Sequence, residues 1–389
     1  MRPRRLALAA AVTAVTAVTA VGAGPAPVTA PDPRAEVVRP LAGTQADSGV
    51  SILSVGEDLL IAGYTSAAGE DAGLLLRVSA TGDEIWRAAL PCGGDGAVWS
   101  IQPLGDGTFA GAGWTKSAAG DLDAMLVRFD AAGKVIWQTA YAGPLKERLW
   151  SLQVDRRGLL AAGEAAAPDG TSQGLVIRTD LDGREIFRRT TGSAPSERDF
   201  SVQALDDGGY VLAGMSGSGP REGPGYDARI TRYGASGELI WSRAWGGAGY
   251  DVAHDVHRKD DGGFLVTGYT AAGDSRGTDV FLLDLSPAGE IVWSRTYGGP
   301  RDDRAVHLAL LPDGGAAIAG YSQSESGDWD IVLRVTAEGG AESWSRRFGG
   351  RGNELGRSVL AGPGGSLTVL GHSQSYGPLE RILLVRLGA

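Results

Sequence analysis

The chain holds a single cysteine, Cys92, among 389 residues. An intramolecular disulfide is therefore impossible, as is any zinc or iron–sulfur centre built on several thiolates. Lysine is almost as scarce: Lys116, Lys134, Lys146 and Lys259 are the only four, so arginine carries the basic charge. Lys and Arg total 36 against 46 Asp and Glu, a formal charge of −10. A nucleic-acid binder is not expected of such a chain, because affinity for the phosphate backbone comes from clustered cations. Charged residues make up only 21% of the chain and apolar ones 43%, too apolar a mixture for a disordered protein and enough for a large core.

Arg2, Arg4 and Arg5 precede an uncharged apolar run over residues 6–23, and small residues follow at Val28-Thr29-Ala30. This order has the form of a secretory signal peptide, residues 1–30. The Arg4-Arg5 pair also allows a twin-arginine route, although the flanking residues match that motif poorly, and the run is near the lower length limit for an uncleaved membrane anchor. No cysteine follows the run, which excludes a lipoprotein anchor. Prolines at 25, 27, 31, 33 and 40 mark residues 31–35 as an extended linker. Losing residues 1–30 removes three Arg and no acid, so the mature chain carries −10 − 3 = −13. The expectation is a secreted or cell-envelope monomer with no membrane span in its mature form.

From residue 36 onward the sequence repeats with a period near 50. A glycine followed by a slot that is often aromatic closes an apolar run at Gly63, Gly113, Gly163, Gly214, Gly268, Gly320 and Gly371, spaced by 50, 50, 51, 54, 52 and 51. A second marker, G-x-x-x-W, ends at Trp86, Trp137, Phe187, Trp241, Trp293 and Trp344. Within one unit, residues 305–311 form an apolar run stopped by Pro312-Asp313-Gly314-Gly315, residues 316–321 a second strand, residues 330–335 a nearly continuous apolar strand and residues 343–348 a fourth. Four short antiparallel strands per 50 residues describe a propeller blade, and seven blades bury their apolar faces against one another. The unequal marker counts locate the join. Residues 383–387 form a third strand with no fourth after it, whereas residues 36–39 resemble a fourth strand with no blade before it. The fold expected is an all-β, seven-bladed β-propeller over residues 36–389, its ring closed when the N-terminal strand completes the last blade.

Sixfold recurrence assigns the Trp to packing, since one ligand rarely needs six identical sites. The same reasoning covers Arg77, Arg128, Arg178, Arg232, Arg334 and Arg386, a column broken by Asp284; each guanidinium is expected over a ring or against a loop acid. Cys92 precedes a diglycine where other units place Trp245, Tyr297 or Phe348, and reads as a small buried hydrophobe.

Units such as Thr278-Asp279-Val280-Phe281-Leu282-Leu283-Asp284-Leu285, with Gly289-Glu290-Ile291-Val292-Trp293, Gly298-Gly299, Asp313-Gly314-Gly315 and Gly320-Tyr321-Ser322, resemble the bacterial secreted β-propeller repeat family. The likeness runs over about residues 36–389. It implies an exported propeller and carries no catalytic residues to transfer. Quinoprotein propellers share G-x-x-x-W, but most of their longer A-x-D-x-x-x-G-x-x-x-W motif is missing here, and kelch propellers place their diglycine at the end of the second strand instead.

A site is expected where blades stop being alike. One inner-strand column reads Ser51, Ser100, Ser151, Ser201, Asp255, His307 and Ser358; two residues on stand Leu53, Gln102, Gln153, Gln203, His257, Ala309 and Leu360. His254, Asp255, His257 and His307 thus fall on two adjacent inner strands, candidates for a metal site or an acid/base group at the channel mouth. Simple alternation turns His254 away from Asp255 and His257. Asp121 with Asp123, and Asp328 with Asp330, sit in corresponding loops with the oxygen chemistry that suits calcium. The long loop over residues 216–226 offers Arg221, Glu222 and Tyr226 for partner contact. Two functions follow: a binding or scaffold module holding an extracellular glycan, peptide or protein on its loop face, or a hydrolase or lyase acting on an extracellular polymer.

Overall fold

The computed structural model describes residues 36–41, 45–67, 69–143, 145–192, 196–217, 225–271 and 277–388. The expected signal and linker, and the candidates Arg221 and Glu222, lie outside them. Seven four-stranded antiparallel sheets make up the described chain, each ordered first to fourth strand from the inside outward. Blades 1 to 6 open with Ala46–Val55, Gly96–Pro103, Glu147–Asp155, Ser196–Ala204, Val252–Arg258 and Asp303–Leu310. Blade 7 joins Glu354–Ala361, Leu367–Ser373 and Arg381–Leu387 to Glu36–Pro40, with Val38 opposite Val385 and Pro40 opposite Leu383. The ring is therefore closed as the marker counts predict. Arg39 extends that closure to blade 1: its guanidinium donates to the Thr81 carbonyl and to Asp83 Oδ1 at 2.6 Å.

Every blade interface buries an apolar cluster. Between blades 4 and 5, Val211, Ala213 and Ile230 meet Val256, Phe264 and Phe281. Between blades 7 and 1, Leu370, Ile382 and Leu384 meet Ile52, Ile61 and Leu76. A single blade exposes both faces, so each is stable only between neighbours.

The repeated residues lock these interfaces. Trp86 of blade 1 lies on Gly133 in the last turn of blade 2, where a Cβ would come within 2.6 Å of the indole, and its Nε1–H donates to the Ala131 carbonyl at 3.0 Å. Arg77 donates to the same carbonyl at 3.1 Å while pairing with Asp58 at 2.8 Å. Arg128 with Trp137, and Arg232 with Trp241, converge in the same way on Leu181 and Pro287. G-x-x-x-W is thus two halves of a joint, the glycine receiving the indole of the preceding blade. Asp284 breaks the arginine column by reversing the pair: Lys259 Nζ meets Asp284 Oδ1 at 2.7 Å.

Register corrects two assignments. Val335, not Arg334, stands opposite Trp344 in the arginine column of blade 6; Arg334 lies one residue earlier, its guanidinium 4.9 Å over the Tyr297 ring. Leu90, opposite Gly73, occupies the place that Trp245, Tyr297 and Phe348 hold opposite Ala228, Val280 and Ile331. Cys92 stands two residues further on, because blade 1 has two extra residues between the strand end and the diglycine. It is buried all the same, and burial raises its thiol pKa.

Candidate functional site

Every first strand carries a β-bulge at the same place, for example between Ala253 and Asp255 and between Ala305 and His307. The glycine column makes room for it. A Cβ on Gly268 would approach the Val252 carbonyl to 1.9 Å, and one on Gly320 the Arg304 carbonyl to the same distance. The bulge adds one inward residue per blade: Val50, Trp99, Trp150, Phe200, His254, Val306 and Arg357. Alternation therefore fails at His254. It stacks on Phe200 of blade 4, centroids 4.7 Å apart, and lies 5.5 Å from Tyr269. Burial, with help from the Arg357 charge, lowers its pKa to about 4.

The column after the bulge is a belt of hydrogen bonds between blades. Ser51 Oγ accepts from Ile101 N at 3.3 Å, Ser100 Oγ from Leu152 N at 3.2 Å, Ser151 Oγ from Val202 N at 3.1 Å and Ser201 Oγ from Val256 N at 3.3 Å. Asp255 Oδ2 continues the series, accepting from Leu308 N at 3.0 Å, and His307 Nδ1 accepts from Val359 N at 3.4 Å. Asp255 and His307 hold the acceptor position that serine holds elsewhere.

These two, with His257, form the only group among the described residues that could hold a metal ion, their ligand atoms lying within 4.8 Å of one another. His257 Nε2–H donates to Asp255 Oδ2 at 3.2 Å, and His307 Nε2 lies 3.9 Å from the same oxygen. Asp255 Oδ1 also accepts from Ser201 Oγ at 2.9 Å and Val256 N at 3.0 Å. Burial alone would raise the Asp255 pKa, but the neighbouring imidazoles and the hydrogen bonds from His257 and Leu308 take it well below the usual carboxylate range. Burial opposes protonation of His257, yet the Asp255 charge raises it overall; His307 is lowered, chiefly by burial. Two imidazoles and a carboxylate suit a transition metal. The fit is poor, however: His307 ligating through Nε2 would turn its own Nδ1–H onto the Val359 N–H. The strand direction also places the cluster away from the long loops. His257 is the penultimate residue before the first hairpin of blade 5, at the end of the channel opposite the loops that join blades.

The loop face holds a different feature. Between blades 3 and 4 lies a cavity of about 340 Å³ whose walls include Lys146, Arg148, Glu164, Asp169, Arg198 and Tyr226. Glu164 replaces the aromatic residue found at Tyr64, Trp114, Tyr269 and Tyr321, and it pairs with Arg198 at 2.7 Å and loosely with Arg148 at 3.9 Å. Of the three loop candidates, Tyr226 is brought here. The calcium candidates fall as two pairs in separate blades, the members of each pair close enough to act on one another's charge. Asp121 and Asp123 lie in blade 2; in blade 6, Asp328 accepts from the Ser324 and Ser326 hydroxyls and Asp330 pairs with Arg347 at 3.3 Å.

Two sets of residues escape a reading of the sequence by alternation. One is the bulge column, visible only when Trp99-Ser100 and Trp150-Ser151 are aligned with His254-Asp255. The other is a set of buried acids opening the first strands, Asp47, Glu147, Glu197, Asp251, Asp303 and Glu354. Asp251, Asp303 and Glu354 accept backbone N–H groups of Gly247, Gly299 and Gly350, fixing the turns between blades.

No family model matches the chain. The regulatory protein FlaEY of Caulobacter vibrioides is 27% identical over 213 residues, covering 48% of this chain and 21% of that protein. The chain thus spans about a fifth of that curated relative's length. Among solved structures, Sqt1 from Chaetomium thermophilum superposes with a TM-score of 0.53 at 10% identity, over 91% of this chain and all of that one. Sqt1 bound to the N-terminus of ribosomal protein L10 gives 0.51 at 10% identity, over 89% of this chain and 98% of that one. A puromycin hydrolase gives 0.51 at 15% identity, over 84% of this chain and 50% of that one. At such identities the likeness is one of fold. Among the described residues no helix is long and apolar enough to cross a membrane.

Proposed function

We propose that this chain is an exported propeller of the bacterial secreted repeat kind, a binding or scaffold module that takes an extracellular glycan, peptide or protein on its loop face. The observation that carries the proposal is the cavity of about 340 Å³ between blades 3 and 4, lined by residues that differ from those of the other blades. Export rests on the arginines and apolar run of residues 1–30. Sqt1, similar in fold, is seen bound to the N-terminus of ribosomal protein L10. The test is a glycan and secreted-protein binding screen with the mature chain, repeated in EDTA and with Ser172→Trp, which fills the cavity. A ligand retained by the parent and lost by the filled variant supports the reading. A variant that keeps every partner of the parent overturns it.

A second reading, a hydrolase or lyase, draws on the convergence of Asp255, His257 and His307. With Nε2–H held by Asp255, His257 has its Nδ1 lone pair for general base work. Any turnover of an extracellular polymer that survives a folded His257→Ala/His307→Ala double variant removes this reading.

A further inference from the structure

The bulge column places an unusual cation at the loop end of the channel. Arg357 projects from blade 7 to lie 5.9 Å over the Trp99 ring of blade 2. Among the described residues no carboxylate lies within ion-pair distance of it, and its Nε is buried without an acceptor. Its electrostatic neighbours include Tyr64, His254, His372 and Glu380. Both histidines are held neutral near pH 7, burial lowering them to about 4 and about 3.

Trp99 begins an aromatic path. It packs at 5.1 Å from Trp150 and 5.3 Å from Trp114, and those two rings lie 5.3 Å from each other. Trp99 and Trp150 keep part of their surface open to solvent, whereas Trp114 is buried behind them. At the far end Arg148 sits over Trp114 at 5.1 Å and over Trp150 at 5.9 Å, and Arg148 is also a wall of the cavity between blades 3 and 4. Lys146 and Arg198 continue the positive charge along that wall, against Glu164 and Asp169. In a chain of net charge −10, this strip runs cation, indole, indole, cation.

An unpaired guanidinium over an indole favours a carboxylate, which it can grip with two parallel N–H bonds. The indole faces favour a ring that carries its own apolar face. One ligand class joins both features in a repeating chain: a glycan of uronic-acid sugars. Acidic side chains of a peptide supply the charge but no ring. We infer that the loop face binds a carboxylated glycan, its carboxylates on Arg357 and Arg148 and its sugar rings on Trp99 and Trp150. This rests on the loop-face reading and names its ligand.

The test is calorimetry of the full mature chain with polygalacturonate, with the same polymer methyl-esterified, with a neutral glucan and with polyglutamate. Polygalacturonate is expected to bind at least tenfold more tightly than each of the other three. Arg357→Gln is expected to weaken it at least tenfold while its circular dichroism and melting match the parent, because no ion pair is lost. Arg357→Lys, which keeps the charge but not the flat fork, is expected to recover only part of the loss. The inference is overturned if the ester binds as well as the acid, if polyglutamate binds as well, if polygalacturonate does not bind, or if folded Arg357→Gln binds unchanged. A screen ligand lost on Ser172→Trp but kept by Arg357→Gln would remove the acidic glycan and leave the loop-face reading standing.

Discussion

Asp255 is where packing and chemistry compete for one side chain, and two substitutions separate them. Its carboxylate accepts from Ser201 Oγ, Val256 N, Leu308 N and His257 Nε2. Asp255→Ala leaves the Leu308 N–H of blade 6 and the His257 ring without an acceptor, and breaking a buried charged pair of this kind costs about 3–5 kcal/mol. Asp255→Ser restores what four preceding blades use, an Oγ positioned for the next blade's N–H. The His257 interaction is then lost together with the Oδ1 contacts to Ser201 Oγ and Val256 N, but Val256 N keeps Ser201 Oγ as acceptor and the His257 ring is partly exposed, so the cost is about 1 kcal/mol. Unfolding entropy of about 2.1 cal/mol/K per residue makes 1 kcal/mol worth roughly 1.4 °C in a ring of this size. The alanine variant should therefore melt about 4–7 °C below the parent at pH 7, and the serine variant about 1–2 °C below it. The pH dependence has a defined window. His257, raised by Asp255, stabilises fully below its ordinary 6.5 and loses that contribution as pH rises through its higher folded value. Asp255, lowered, contributes above its ordinary 3.8 and loses that as pH falls through its folded value. The serine variant should thus trail the parent most between pH 4 and 6.5, as read by calorimetric melting. Equal melting of the alanine and serine variants would refute the belt as a source of stability and return Asp255 to the chemical reading.

His372 takes the place of a tyrosine and is held neutral at about 3 by burial and the Arg357 charge. Its contribution is complete above 6.5 and falls with pH at about 1.4 kcal/mol per unit, so roughly 2 kcal/mol is gone at pH 5. His372→Tyr should narrow the difference in Tm between pH 7.5 and pH 5 by about 3 °C, and an unchanged difference would contradict the assignment. Ring closure is tested by removing residues 36–41, which strips the fourth strand from Arg381–Leu387 and the Arg39 contacts from blade 1. Melting should drop by more than about 5 °C and broaden, with hydrogen exchange first at blades 7 and 1; a truncated chain that melts like the parent would exclude closure by this strand.

The period, the blade count and the join were all legible because they depend on residues with few substitutes. Turns with positive φ, such as Gly133 at 81°, need glycine, and a missing seventh G-x-x-x-W leaves a countable gap. The site was less legible for two physical reasons. Alternation assumes a regular strand, and the bulge at residue 254 puts an extra side chain inward, so the stack of His254 on Phe200 could not be read from parity. A serine column also reads the same whether it lines a wet channel or ties blades together. Only the 3.1–3.3 Å contacts to the next blade's N–H separate those cases. Cys92 was misplaced because the diglycine is a weaker anchor than strand register when two residues are inserted.

The two inner columns differ in what they tolerate, and that difference says where recognition can arise. The belt column holds Ser, Asp and His alone, every one a hydrogen-bond acceptor, and any residue there that cannot accept leaves a neighbouring blade's N–H unpaired in a buried place. The bulge column, one residue earlier, holds Val, Trp, Phe, His and Arg, which share neither size nor charge. It is free to vary because the facing glycine absorbs the backbone distortion and the extra residue stands outside the ladder pairing. Ligand contacts can therefore change in the bulge column without loosening the ring, whereas in the belt column they cannot. By this reasoning the Arg357–Trp99–Trp150 strip is a better place to seek specificity than the histidines that first attract attention.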